Sequence, residues 1–270
     1  MVFRLFLLLT SVILLQACTN EPVEIPAETD EPRTPEISFE FVKSYPHDIN
    51  AFTEGFLVHQ GILYESTGAT SQLSQTRSLF GIVDLKSGNI QVKAELDKNI
   101  YFGEGIAFLN NKVYQLTYQN KIGFIYDANT FKKLGQFDIP SPEGWGITTD
   151  GKFLIMSDGT SSLTWLDPVT LKKTRSIQVK ELGYPVDKIN ELEFIKGFIY
   201  ANIWMTNTII KIDPSNGKVV GKMDMTAFAK EAISLHPGSQ EMNGIAYDSA
   251  KNTVFITGKM WPKIYEITIK

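Results

Sequence analysis

One short pattern returns five times along this chain of 270 residues, and it restricts the fold more than any other feature. It reads Glu54-Gly55-Phe56, Glu104-Gly105-Ile106, Trp145-Gly146-Ile147, Glu191-Leu192-Glu193 and Asn243-Gly244-Ile245. With the middle residue as marker, positions 55, 105, 146, 192 and 244 are 50, 41, 46 and 52 residues apart. Such periods belong to architectures in which one unit cannot bury its apolar face alone and stacks on its neighbours. A second marker, an Asp-led hairpin turn, follows at Asp84, Asp127, Asp167 and Asp213. In the first unit this turn comes later than in the others, which places an extra loop over residues 68–77, rich in Ser, Thr and Gln.

Between the markers lie short alternating runs such as Lys112-Val113-Tyr114-Gln115-Leu116-Thr117 and Phe198-Ile199-Tyr200-Ala201-Asn202-Ile203. Aromatic and β-branched residues in runs of this length are strand signals. Each unit therefore reads as a sheet of about four strands, and the chain as an all-β, five-bladed β-propeller. The last unit ends at Lys270 after three strands, so the early segment Ile37–Val42 is expected to supply its fourth and close the ring. One helix is expected, an insertion over Asp224–Leu235 before the last blade, with Asp224 as its N-cap. A β-sandwich accounts less well for the five-fold marker.

The first residues point to an export leader. Arg4 precedes an apolar run from Leu5 to Leu15, too short to span a bilayer and fitting a signal peptide. Leu15-Gln16-Ala17-Cys18 resembles a bacterial lipobox, so residues 1–18 are expected to be a lipoprotein signal peptide ending at a lipidated Cys18. Residues 19–37, rich in Glu, Pro and Thr, read as a flexible acidic tether, and residues 38–270 as one propeller domain. That arrangement implies a protein in the cell envelope, held to the membrane through its lipid alone and facing the periplasm or the exterior; a monomer is expected. A net charge of -4 and a pI near 5.5 argue against nucleic acid as a partner. Cys18 is the only cysteine, so no disulfide supports the fold, and His47, His59 and His236 offer no zinc-site spacing.

In a propeller the first strand of each blade lines the central channel, so the repeated starts converge at one end. This gathers Glu54, Glu104, Trp145, Glu191 or Asn190, and Asn243. Polar groups converging with large aromatics at a channel mouth are the default site. Glu104 stands out, because glycines flank it and Tyr101 and Phe102 precede it, an apolar setting that raises a carboxyl's pKa. A second ring is expected from the turns after the following strands: 65–68, 115–118, 157–159, 202–204 and 257–261. Spacing alone leaves open which of Trp145, Trp204 and Trp261 face a substrate and which pack in the core.

Taken together, Phe102-Gly103-Glu104-Gly105, Glu143-Gly144-Trp145-Gly146, Asn190-Glu191-Leu192-Glu193, Ala201-Asn202-Ile203-Trp204 and Gly258-Lys259-Met260-Trp261-Pro262-Lys263 resemble the plant-type glutaminyl-peptide cyclotransferases. The ordered match runs from about Phe52 to Lys270. The resemblance implies a five-bladed propeller that converts N-terminal glutamine of peptides or proteins to pyroglutamate with release of ammonia. It implies Glu104 as the catalytic acid/base, Lys259 and Asn190 as oxyanion donors, and Phe102, Trp145 and Trp204 as pocket walls. Phe52 and Glu54 would meet the substrate's amine or amide. Two positions depart from the family pattern: Glu54 replaces a Gln, and Tyr118 replaces a Trp but keeps an aromatic wall.

No cofactor is required by such a reaction, although a structural calcium in the channel is compatible with oxygen ligands from Glu54, Asn190 and Asn243. Those same residues support a rival reading as a metal-dependent, lactonase-like propeller hydrolase. A non-catalytic propeller lipoprotein that binds peptides at its channel mouth is the other alternative.

Overall fold

The computed structural model describes residues 33–270. The leader, Cys18 and most of the acidic stretch lie outside the described residues. Five four-stranded antiparallel sheets follow one another along the chain. Blade one comprises Thr53–His59, Ile62–Thr67, Leu79–Val83 and Ile90–Glu95; blade two comprises Gly103–Leu109, Lys112–Thr117, Ile122–Asp127 and Lys133–Asp138. Blade three is Ile147–Thr149, Leu154–Met156, Ser162–Leu166 and Lys173–Gln178, and blade four Ile189–Ile195, Phe198–Ile203, Thr208–Ile212 and Val219–Asp224. Blade five, Met242–Asp248, Thr253–Gly258 and Lys263–Ile269, takes Phe39–Pro46 as its outermost strand. The expected five-bladed propeller is therefore present, closed by the N-terminal strand.

Burial follows position within a blade. Every residue of the innermost strand Gly103–Leu109 is buried, whereas the outermost strand Lys173–Gln178 is almost wholly exposed. Apolar side chains pack between neighbouring blades, as Ala107, Leu116, Ile147 and Leu154 do between blades two and three. Each buried Leu or Ile of this kind contributes about 1.5–3 kcal/mol.

The repeated motif is a β-bulge. Pairing of the innermost strand with its neighbour slips between Thr53 and Gly55, Gly103 and Ile106, Ile189 and Leu192, and Met242 and Ile245. Two residues of the inner strand then face one of the partner, which re-aims their side chains. In register, the mouth-facing bulge residues are Glu54, Glu104, Trp145, Asn190 and Asn243, and the axis-facing ones are Gly55, Gly105, Gly146, Glu191 and Gly244. Blade four is thus aligned one residue earlier than its Glu191-Leu192 sequence suggests.

Close approach explains the glycines. A Cβ on Gly55 would lie 2.8 Å from Ile106 N, one on Gly105 2.7 Å from Ile147 N, and one on Gly146 2.3 Å from Asn190 O. The bulges of blades one, two and three rest directly on the backbone of the next blade. Glu191 takes the axial place in blade four and fills the remaining space, accepting the N–H of Ile245 at 2.9 Å and of Phe56 at 3.4 Å.

Two expectations need adjustment. The helix spans Thr226–Leu235 with Met225 at the N-cap position. Asp224 instead ends the last strand of blade four, and its carboxylate accepts the N–H of Thr226 at 2.8 Å. The acidic stretch also docks before it ends: Lys222 N–H donates to Pro35 O at 2.9 Å, and Ile37 N–H donates to Lys222 O at 2.7 Å. Ile37 packs its side chain on the core beside Phe39, which draws the end of the expected tether onto blade four.

Candidate active site

All nine residues singled out for catalysis or substrate binding meet at one end of the channel. Phe52, Glu54, Phe102, Glu104, Tyr118, Trp145, Asn190, Trp204 and Lys259 line a cavity of about 520 Å³. This volume is within the range of small-ligand sites.

One side of the wall is a continuous aromatic arc. Phe52 meets Phe102 edge-on with ring centroids 5.9 Å apart, Phe102 meets Tyr118 at 5.9 Å, Tyr118 meets Trp145 at 6.4 Å, and Trp145 meets Trp204 edge-on at 5.8 Å. Gly159 lets Trp145 pack against backbone, since a Cβ there would come within 2.6 Å of the indole. Trp145 Nε1 donates to Glu143 at 2.9 Å, which fixes the ring's orientation. Trp261 belongs elsewhere: it is wholly buried in the core, and its Nε1 donates to Gln240 O. Tyr101 also turns from the site, packing edge-on against Phe124.

The polar floor holds two carboxyls and one ammonium. Glu54 and Glu104 are only 2% and 4% exposed, and Lys259 6%. Lys259 Nζ lies 2.7 Å from Glu54 Oε1, while Asn243 Nδ2 donates to Glu54 Oε2 at 3.1 Å and to Thr53 O at 3.0 Å. Burial pushes the Glu54 carboxyl up to about 7 despite the opposing pull of Lys259. Burial, reinforced by the charge of Glu54, holds Glu104 well above the ordinary carboxyl range. Burial alone would lower Lys259, but Glu54 and Glu104 outweigh it and raise its pKa, so its ammonium persists.

Glu104 and Asn190 have side chains left over for a ligand. Among the described residues nothing hydrogen-bonds the Glu104 carboxyl, and the buried Asn190 Oδ1 has no partner. Three-donor Lys259 also keeps N–H groups beyond its bond to Glu54. The backbone that aims these groups is clamped from the neighbouring blade. Ser66 Oγ donates to Glu104 O and receives Gln115 Nε2 at 3.2 Å; Ser157 Oγ donates to Asn190 O at 2.7 Å.

Much of the expected second ring therefore supports the site from behind and does not line it. Asn202 Oδ1 accepts Gly244 N–H at 3.0 Å. Glu65 faces His47 Nε2 at 3.0 Å and accepts the Thr53 hydroxyl at 2.7 Å, tying the closing strand to blade one. Asn243 stands behind Glu54, and Glu191 faces the axis, so Asn190 is the blade-four residue in the pocket.

The sequence reading missed Thr70, Gln72, Leu73, Gln240 and Glu241, which complete the wall between blades five and one. The signal for the first three was the extra length of unit one, because an insertion between second and third strands falls at the channel mouth. Glu54, one of the oxygen ligands expected for a channel calcium, is instead paired with the Lys259 ammonium at 2.7 Å. Among the described residues no group of three or more His, Cys, Asp or Glu is placed to hold a metal ion.

Known proteins share this design. The family described as glutamine cyclotransferase matches residues 9–269. The chain belongs to that family. It is 39% identical over 233 residues to the glutaminyl-peptide cyclotransferase of Arabidopsis thaliana, an alignment covering 86% of this chain and 71% of that protein. The crystal structure of glutaminyl cyclase from Myxococcus xanthus matches with a TM-score of 0.79 at 33% identity, covering 88% of this chain and 99% of the other. A glutamine cyclotransferase with Glu54 carries two carboxyls in its pocket floor, of which only Glu54 is paired with the lysine.

Proposed function

We infer that this chain is a glutaminyl-peptide cyclotransferase that closes N-terminal glutamine to pyroglutamate and releases ammonia. The observation that carries the reading is a buried Glu104 carboxyl with no hydrogen-bond partner among the described residues, beside a lysine and an asparagine whose Oδ1 is unpartnered, in an aromatic-walled pocket.

The reaction joins two groups of one residue, so the pocket's first task is to hold the folded conformer in which amine and amide carbon meet. The aromatic arc supplies that confinement and excludes water. The α-amine attacks in its neutral form, which is accessible because such groups titrate at about 7.7–8.0. As the carbonyl becomes an oxyanion, the N–H groups of Lys259 and Asn190 stabilise it. The amide C–N bond then breaks. Glu104 gives its proton to the departing nitrogen and takes one from the former amine, so it ends protonated as it began. One proton has moved from amine to ammonia. Glu54 keeps Lys259 charged and in place, and the chemistry needs no cofactor.

The leader extends the reading to location. A lipidated Cys18 would anchor a monomeric propeller in the cell envelope, facing the periplasm or the exterior, with acidic residues spacing it from the membrane. Membrane release of a Cys18→Ser protein, together with loss of incorporated labelled fatty acid, tests that part.

Activity is tested by incubating the protein with a short peptide beginning in glutamine and following ammonia and peptide mass. Turnover that persists with a chelator is expected. Absence of ammonia from every glutaminyl peptide tried would overturn the cyclase reading in favour of a binding propeller, and turnover abolished by the chelator would favour a metal-dependent enzyme.

A further inference from the structure

The pocket floor holds a close ion pair, whereas the rim carboxylate Glu241 acts on Lys259 and Glu54 only at longer range. Glu54 has Lys259 at 2.7 Å, and Lys259 is the only cation among the lining residues. Glu241 lines the same pocket, half-buried, and among the described residues its carboxylate has no hydrogen bond and no ion pair. Its backbone is nevertheless fixed: Lys259 N–H donates to Glu241 O at 2.9 Å, and Gln240 N–H donates to Lys259 O at 2.9 Å. Glu241 is thus a rigidly mounted charge at the mouth. The other carboxylate near the mouth, Glu143, accepts from two neutral donors, Trp145 Nε1 at 2.9 Å and Gln119 Nε2 at 3.2 Å. Lys188, the cation close to this edge, is lodged against Trp204 at 5.4 Å from the ring centroid.

Substrate geometry brings a second residue to this rim. With the glutamine's amine and amide on the floor, the next Cα is about 3.8 Å away and the peptide must leave through the mouth. It passes between the aromatic arc and the polar wall formed by Thr70, Gln72, Gln240 and Glu241. A cationic side chain there gains a partner, and an anionic one meets repulsion from Glu241 and Glu143. We propose that Glu241 is a specificity-determining residue whose rim carboxylate selects glutaminyl peptides carrying lysine or arginine immediately after the glutamine.

This inference rests on the cyclase reading of the pocket. The test compares three peptides that differ only in their second residue, Lys, Ala or Glu, by kcat/KM for ammonia release. The wild type is expected to favour Lys over Glu by about tenfold, largely through KM, with the ratio shrinking as salt is raised. The ratio should fall towards one in Glu241→Gln and invert in Glu241→Lys; being a ratio, it is insensitive to losses common to all three peptides. Equal turnover of the three by the wild type would overturn the selectivity while leaving the cyclase reading intact. So would a ratio that survives unchanged in both variants. No ammonia from any of them would instead sink the cyclase reading itself.

Discussion

Glu104 and Glu191 come from the same bulge in two different blades, yet they have opposite fates. Both are buried, at 4% and 2% exposure, and burial raises both above the ordinary carboxyl range. Glu191 occupies the axis-facing place, where other blades have glycine, and the backbone N–H groups of Ile245 and Phe56 satisfy it. Glu104 occupies the mouth-facing place and has no hydrogen-bond donor among the described residues. One residue's step along a bulged strand separates a structural carboxyl from one free to exchange a proton with a ligand. Burial alone does not distinguish the two; the hydrogen-bond partners and the open cavity beside Glu104 do.

Breaking the axial member should cost stability. Glu191→Ala leaves two buried N–H groups without their acceptor and is expected to lower unfolding free energy by about 2–4 kcal/mol. Denaturant melts would measure this, with turnover of the folded fraction kept within a few-fold. A loss of activity without a loss of stability would reverse the assignment of roles. Gly105→Ala places a methyl 2.7 Å from Ile147 N and 2.9 Å from Trp145 O, both rigid backbone, and should cost about 1–3 kcal/mol.

A smaller effect separates charge from shape. A carboxyl with a higher pKa in the folded state binds more protons there, so its contribution to stability declines as pH rises above the unfolded value of about 4.3. Glu191→Gln keeps an acceptor for the axial N–H groups but cannot ionise. Its stability should therefore decline less than that of the wild type as pH rises above about 4.3, and parallel profiles would contradict the assignment.

The smallest predicted change concerns Glu54. Glu104 faces Glu54, Lys259, Glu143 and Tyr118, and the Glu54 charge helps to hold its proton. Glu54→Gln removes that charge and leaves Lys259 closer to unopposed, and both changes favour ionised Glu104. In the proposed mechanism Glu104 donates a proton, so the alkaline limb of the kcat profile should move to lower pH. A shift towards higher pH, or none, would show that Glu54 does not tune Glu104.

Much of this was legible in the sequence because the bulge leaves a chemical trace. At 55, 105 and 146 the next blade's backbone leaves no room for a side chain, so glycine recurs there, again at 244, and betrays the blades. Blade four lacks that glycine, and its alignment consequently slipped by one residue, leaving Asn190 and Glu191 unresolved until the bulge geometry was seen. The mouth-facing residues were legible through the same repeat. Insertions have no repeat to align, so Thr70, Gln72, Leu73, Gln240 and Glu241 were not. Nor could composition separate Trp261 from Trp145 and Trp204, since an indole suits a core and a pocket wall equally well.

The most direct test of the central contrast is turnover of a glutaminyl peptide by Glu104→Gln, with unfolding measured on the same preparation. Loss of the proton carrier should lower kcat by about 10²–10⁴-fold. The unfolding midpoint should stay at or above that of the wild type, because a buried ionisable group has been replaced by a neutral one of the same shape. Near-normal turnover in a folded Glu104→Gln protein would contradict the account.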